Sequence, residues 1–399
     1  MGGVAYAANG MYDVIADYSA AGDGSTDDTS AFQNALNQAN SDGGGLVTVP
    51  SGEFKISTHL SIPANVALEG TFRGPAGETS SGTQASVLLA SEYNGSPTAT
   101  PFITMSAGSA LSGLVIRYPS QTETNPPVSY PWTIRGNGAA ITIANVLLKN
   151  SYQGIDLNTN GCERFVITHV NGQPLNTGIY VGDSDRGRIE DVKFSQIWST
   201  SANITNYTEA SGVAFKFGDA DYLMGLNLHA EHYDKAIEFA SGTATAVITH
   251  PTALDCDYGI DIATVDGDVG VSFMNGNFKC TKALNVGGSN TGPVKLLSSM
   301  LEPDGSIQEH ITCDGDGALI VSGCTLVNWG TSYDAIEGKC EGIVVHGNNF
   351  DIGSTGVTKV SLDSSVKDAA IGGNRMENGV NITDNTTNAD VDTGYNTAL

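Results

Sequence analysis

From Gly154 onward the chain repeats a four-residue pattern: a small or polar residue, an apolar one, a variable one, then usually a second apolar one. It reads Gly154-Ile-Asp-Leu, Gly178-Ile-Tyr-Val, Gly212-Val-Ala-Phe, Ala236-Ile-Glu-Phe, Gly259-Ile-Asp-Ile, Ala283-Leu-Asn-Val, His310-Ile-Thr-Cys, Ala335-Ile-Glu-Gly, Lys359-Val-Ser-Leu and Gly379-Val-Asn-Ile. The intervals are 24, 34, 24, 23, 24, 27, 25, 24 and 20 residues. A second apolar segment follows most of them, as in Phe165-Val-Ile167, Leu226-Asn-Leu228, Leu319-Ile-Val321 and Ile343-Val-Val345. Alternation of this kind marks strands, since a helix repeats its apolar face every 3.6 residues. The period is too short for a propeller blade of roughly 40 to 45 residues and lacks the helix of a leucine-rich repeat. What remains is an all-β fold, a single-stranded parallel β-helix, in which second and fourth positions stack inside and third positions face water.

The N-terminal quarter departs from the pattern. Phe32, Ala35, Leu36 and Ala39 fall on one helical stripe, preceded by the capping residues Asp27-Asp28-Thr29 and ended by Asp42-Gly-Gly-Gly45. This predicts a helix over about 28–40, suited to cover the open end of a solenoid. Strands are expected at 46–49, 54–56 and 66–68. The chain thus divides into residues 1–10, a flexible N-terminus or the remnant of a signal peptide, and a single β-helix domain over 11–399.

The residues Tyr12-Asp-Val-Ile-Ala-Asp-Tyr18, Gly22-Asp-Gly-Ser-Thr-Asp-Asp-Thr29, Ala31-Phe32, Gly43-Gly-Gly45 and Val47-Thr-Val-Pro-Ser-Gly-Glu-Phe54 resemble the N-terminal signature of the pectate-lyase-like superfamily. That group has a right-handed parallel β-helix and includes glycoside hydrolases related to families 28 and 55, polysaccharide lyases and phage tailspikes. Tyr130-Pro-Trp-Thr-Ile134 and the stretch from Gly172-Gln-Pro-Leu175 to Phe194 also resemble bacterial glycoside-hydrolase-related members. The signature specifies fold more closely than reaction. The resemblance implies a secreted carbohydrate-active enzyme with a polysaccharide lying in a groove along the helix. Glycoside hydrolysis is the leading expectation, and a Ca²⁺-dependent polysaccharide lyase the alternative. A non-catalytic tailspike or adhesin is the reading from a different class. The resemblance also suggests a homotrimer.

Composition narrows the partners. Asp and Glu number 43 against 18 Lys and Arg, a formal charge of -25, which excludes nucleic acid and anionic lipid surfaces because both need a basic footprint. It also tilts the substrate toward a neutral glycan. No apolar run reaches the 18 residues a membrane helix needs. Five Asn-x-Ser/Thr triplets, at Asn94, Asn203, Asn206, Asn381 and Asn385, suit a secreted surface.

Catalysis by paired carboxylates requires two acids about 5 to 5.5 Å apart for retention or roughly 6.5 to 9.5 Å for inversion. Acids stacked on neighbouring turns meet that demand, since strands lie about 4.8 Å apart. The third-position column reads Asp156, Tyr180, Ala214, Glu238, Asp261, Asn285, Thr312, Glu337, Ser361 and Asn381, so Glu238 and Asp261 are neighbours. A second candidate is Gly182-Asp-Ser-Asp185 with its echo Gly218-Asp-Ala-Asp221. If these stack, Asp183, Asp185, Asp219 and Asp221 either raise one carboxyl into the general-acid range or recruit a cation. The 34-residue interval places a surface insertion at Trp198 to Ser211 beside them. Tyr118, Trp132, Arg188, Trp198, Tyr222 and Tyr233 are the candidates for binding sugar. His229-Ala-Glu-His-Tyr-Asp234 lacks the spacing of the helical zinc motif, so no metal site is expected. No cofactor is required, with Ca²⁺ at the Asp-x-Asp motifs as the one alternative. Cys256 and Cys280 each lie three residues before a repeat start, in one column, either as a disulfide or as two stacked thiols.

Overall fold

The computed structural model describes residues 10–74, 85–242, 244–265, 267, 269–305, 308–387 and 390–398. The expected signal remnant therefore lies almost wholly outside the described residues. The chain is nearly all β, a parallel β-solenoid of about 15 turns. It contains two helices among the described residues, α1 (Thr29–Ser41) and α2 (Ala202–Ser211). It falls into two compact units, Met1–Thr208 and Glu209–Leu399.

In the N-terminal unit three rows of parallel strands recur. One runs from Met11–Asp13 through Gly45–Thr48, Val66–Glu69, Ala110–Arg117, Thr142–Leu148 and Val166–Gly172 to Arg188–Phe194. Another joins Asp23–Asp27, Gly52–Ile56 and Ser86–Ala90. The third joins Leu60–Ile62, Ile103–Ser106, Trp132–Asn137, Gln153–Leu157 and Thr177–Val181. Helix α1 buries the predicted stripe of Phe32, Ala35, Leu36 and Ala39, with Phe32 set edge-on to Phe54 at 5.2 Å. Asp28 stands at its N-cap but makes no cap bond, because its carboxylate accepts the amides of Ala21 and Gly22 at 2.6 and 3.1 Å.

The C-terminal unit repeats the three rows. The row carrying the sequence pattern is Val213–Phe217, Lys235–Phe239, the end of Thr252–Ile262, the end of Asn277–Val286, Ile311–Cys313, Ile336–Gly338, Val360–Leu362 and Ile382–Asp384. Phe215, Ile237, Ile260, Leu284, Ile311, Ile336 and Val360 stack inside it and are fully or almost fully buried. Small residues begin most of these patterns because the backbone of the next turn passes close by. A Cβ added to Gly259 would sit 2.8 Å from the carbonyl oxygen of Ala283 on the next turn.

Two column assignments need correction. Phe215 pairs with Ile237 and Lys216 with Glu238, so the third position of that turn is Lys216 and not Ala214, which begins the pattern. Thr383 pairs with Ser361, so Thr383 replaces Asn381 at the end of the column. Both errors slip by two residues, which preserves the in-out alternation and so escapes a pattern built on period 2.

Candidate functional site

The outward column of the C-terminal unit places Lys216, Glu238, Asp261, Asn285, Thr312 and Glu337 on consecutive turns. Glu238 and Asp261 do come together. Between them lies Lys235, whose Nζ is 2.6 Å from Glu238 Oε1 and 2.6 Å from Asp261 Oδ2. Lys216 Nζ stands 2.9 Å from the other oxygen of Glu238. The Asn285 amide donates to Asp261 at 2.7 Å, and the Thr312 hydroxyl to Asn285 at 2.7 Å. Burial alone raises the Glu238 carboxyl, but the hydrogen bonds and charges of Lys235 and Lys216 outweigh it and hold the group below its ordinary value. Burial likewise opposes the Lys235 ammonium, and its two carboxylate partners lift it above its usual value. The pair is therefore an ionised, lysine-bridged unit, with the ammonium occupying the space where a scissile bond would lie.

Beside this column runs a second one that the repeat pattern did not bring out. Asp257 donates its amide to the carbonyl of Tyr233 at 3.1 Å, and Tyr258 donates to that of Asp234 at 2.8 Å. Asp234 and Asp257 thereby stand on adjacent turns. Partial burial pushes the Asp234 carboxyl up; Lys235 opposes this, while Asp257, Asp261 and Glu238 add to it. Asp257 is also raised, by desolvation and then by Asp304 and Glu209, both anionic. Next to the aspartates, Lys235, Tyr258 and Lys282 pair in register as a third row. The Tyr258 hydroxyl is pushed up by burial and by the surrounding acids. Asp234 and Asp257 are thus shifted in the same direction, and Glu238 beside them in the other; carboxyls set apart in this way mark a candidate site for acid and base chemistry.

The model of the family described as Rhamnogalacturonase A/epimerase, pectate lyase-like, matches residues 12–283. The chain belongs to this family. The match takes in every residue from Lys216 to Lys282 in the three rows just described. Among curated proteins, a stretch of 43 residues is 51% identical to alginate lyase 7 of Azotobacter vinelandii, covering 11% of this chain and 5% of that protein. A stretch of 67 residues is 39% identical to mannuronan C5-epimerase AlgE3 of the same organism, covering 15% and 4%. The match thus spans one-twentieth or less of either relative's length. Among solved structures, the N-terminal fragment of bacteriophage Phi29 gene product 12 superposes with a TM-score of 0.66 at 13% identity, over 97% of this chain and 70% of that one. The A-module of the Azotobacter vinelandii mannuronan C-5 epimerase AlgE6 does so with 0.51 at 15%, over 97% and 99%. Likeness at such identities reports the shared β-helix.

The remaining candidates of this pectate-lyase-like chain lie outside these rows. Asp183 and Asp185 belong to the N-terminal unit, where Asp183 is exposed at φ 49° and Asp185 half-buried. Asp219 and Asp221 belong to the C-terminal unit, where Asp219 is exposed and Asp221 accepts the Thr245 hydroxyl at 3.3 Å. Arg188 is exposed, its Nε 3.3 Å from Glu190. Trp132 and Trp198 are half-buried, and Tyr222 stands 64% exposed. Two assignments are wrong: Tyr118 and Tyr233 are each 1% exposed and cannot meet a sugar. Tyr118 instead hydrogen-bonds Thr133 at 3.0 Å and packs on Tyr130 at 4.5 Å between ring centres. The expected insertion loop at Trp198 to Ser211 is largely helix α2, from which the Tyr207 hydroxyl meets that of Tyr152 at 3.0 Å. Cys256 and Cys280 pair in register as free, buried thiols. Of the two arrangements open from sequence, the stacked thiols are the one observed, and burial pushes Cys256 up to about 12.

Proposed function

We propose that the protein is a secreted glycoside hydrolase that cleaves an extended, predominantly neutral polysaccharide laid across the outward rows of the C-terminal unit. The observation that carries this reading is the pair Asp234 and Asp257 on adjacent turns, flanked by the row Lys235, Tyr258 and Lys282. Their backbone spacing of about 4.8 Å is close to the carboxyl separation of retaining enzymes, about 5 to 5.5 Å. The roles divide by neighbouring charge. Burial raises both carboxyls; Lys235 opposes the rise at Asp234, whereas Asp304 and Glu209 add to it at Asp257, which is the basis for assigning Asp257 as the acid and Asp234 as its partner. Asp257 then protonates the departing glycosidic oxygen while Asp234 attacks or stabilises the anomeric carbon, and water completes hydrolysis with Asp257 acting as base. The Glu238–Lys235–Asp261 bridge holds the Lys235 ammonium beside Asp234.

A second reading has its own observation. A tyrosine hydroxyl between two lysines is also what β-elimination or C5 epimerisation of a uronate needs, a cation against the carboxylate and a proton carrier beside it. One experiment separates the two. The purified protein is incubated with a panel of neutral and uronic polysaccharides, reading new reducing ends, ultraviolet absorbance of an unsaturated product and the uronate epimer ratio by NMR. Hydrolysis gives reducing ends without absorbance, and Asp257→Asn lowers turnover on the order of 10²–10⁴-fold. Absorbance or epimer exchange that survives Asp257→Asn and disappears with Tyr258→Phe overturns the hydrolytic assignment.

A further inference from the structure

At the start of the segment that leads into Asp234, the chain passes through two left-handed residues on adjacent turns. His232 has φ 62° and Asp255 φ 50°, the latter at a register shift between Leu254 and Cys256. Non-glycine residues in this conformation are uncommon. Here they bring His232 Nε2 to 4.0 Å from Asp255 Oδ2, beside the preceding carboxylate of Glu231. One donor atom from each of Glu231, His232 and Asp255 lies within 4.8 Å of the other two. The three side chains are half-buried, and Glu231 is further faced by His229 Nε2 at 3.8 Å.

An observation from outside this trio fixes the imidazole. Glu209 Oε1, at the end of α2, lies 2.7 Å from His232 Nδ1. A carboxylate only accepts, so Nδ1 carries the hydrogen of that bond, and Nε2 is the ring nitrogen turned toward Asp255. This reproduces the way proteins orient metal-binding histidines, with the second ring nitrogen held by a carboxylate.

We propose that Glu231, His232 and Asp255 form a binding site for a divalent first-row transition-metal ion, of which Zn²⁺ is the probe, with Glu209 as the residue that orients His232. A nitrogen ligand with two carboxylates selects such an ion over Ca²⁺, which takes six to eight oxygens. Ligand atoms around Zn²⁺ stand about 3.3 Å apart at metal distances of about 2.0 to 2.1 Å, so closure asks the two flexible carboxylates to move by roughly 1 Å. Three protein ligands leave a coordination position open to water or to an oxygen of a bound sugar. Its three ligands are distinct from Asp234, Asp257 and Tyr258, although Glu209 also lies near Asp257, and the site stands whether or not hydrolysis is the reaction.

The test is calorimetric titration of the metal-stripped, tag-free protein with Zn²⁺ and, separately, Ca²⁺, alongside the visible spectrum of the Co²⁺-loaded protein. The expected result is one Zn²⁺ per chain, no comparable Ca²⁺ uptake, and a Co²⁺ spectrum that shows nitrogen ligation. Binding should be lost in His232→Ala and Asp255→Asn and weakened about 10- to 100-fold in Glu209→Gln. Circular dichroism confirms that each variant is folded, and Asp368→Asn, on a different strand row, serves as the control that leaves binding unchanged. Absence of stoichiometric Zn²⁺ binding overturns the proposal. Binding that survives His232→Ala, or Ca²⁺ binding that does not need His232, overturns it equally.

Discussion

His310 offers a prediction that isolates one proton from the 43 acidic residues around it. It begins a turn of the solenoid in the column where Ala236, Gly259, Ala283 and Ala335 begin theirs, and it is completely buried. Its Nε2–H donates to the carbonyl of Val327 at 2.7 Å, and its ring lies 6.4 Å from that of Trp329. Burial disfavours the charged ring and outweighs the help of that carbonyl, lowering its pKa from 6.5 to about 4. The unfolded chain therefore takes up a proton as pH falls through 6.5, and the folded chain does not until about 4. Stability from this residue is fully present above the unfolded value and drains away between the two. The whole window is worth about 3 kcal/mol at 1.36 kcal/mol per pKa unit. Urea unfolding of the wild type and of His310→Gln at about pH 7.5 and about pH 4.5 reads it directly, because every other titration is common to both proteins and cancels in the difference. The glutamine keeps an N–H for Val327 but cannot titrate. The expected outcome is that the wild type loses about 2–3 kcal/mol more than the variant on acidification. Equal losses in the two proteins would refute the assignment of a buried neutral imidazole.

Two further outcomes follow from the polar ladders of the C-terminal unit. Asn374 accepts from the Asn348 backbone at 2.9 Å and side chain at 3.0 Å and donates to Val345 and Asn396, both at 2.9 Å. Asn374→Ala strands these buried groups and should cost about 2–4 kcal/mol in urea unfolding, against less than about 1 kcal/mol for the same change at the exposed side chain of Asn385. Lys235→Met removes the ammonium shared by Glu238 and Asp261 and should cost about 2–4 kcal/mol near neutral pH. Because the Glu238 carboxyl is held below its ordinary value, the stability it contributes is present above that value and lost as pH falls. The gap between wild type and Lys235→Met should therefore narrow on acidification, which thermal melts across the acid range would check.

What the sequence made legible follows from what period 2 encodes. Ala236-Ile-Glu-Phe and Gly259-Ile-Asp-Ile begin with a small residue and alternate cleanly, so the adjacency of Glu238 and Asp261 could be read by counting. The lysine between them could not, because Lys235 stands just before the pattern, at the start of the same strand and outside the alternating positions. Lys216 was hidden for another reason: Gly212-Val-Ala-Phe and Ala214-Phe-Lys-Phe both satisfy the rule, and only pairing of Phe215 with Ile237 chooses between them. Tyr233 is more instructive. The same count that places Cys256 and Cys280 three residues before a repeat start places Tyr233 there too, and all three are buried. One residue further on, the column becomes Asp234, Asp257 and Thr281, and it faces outward. A register established for two cysteines thus already contained both the burial of Tyr233 and the aspartate pair. The corner between buried and outward columns breaks strict alternation, and a pattern search confined to alternating positions passes over the carboxyls that a solenoid sets just before each bend.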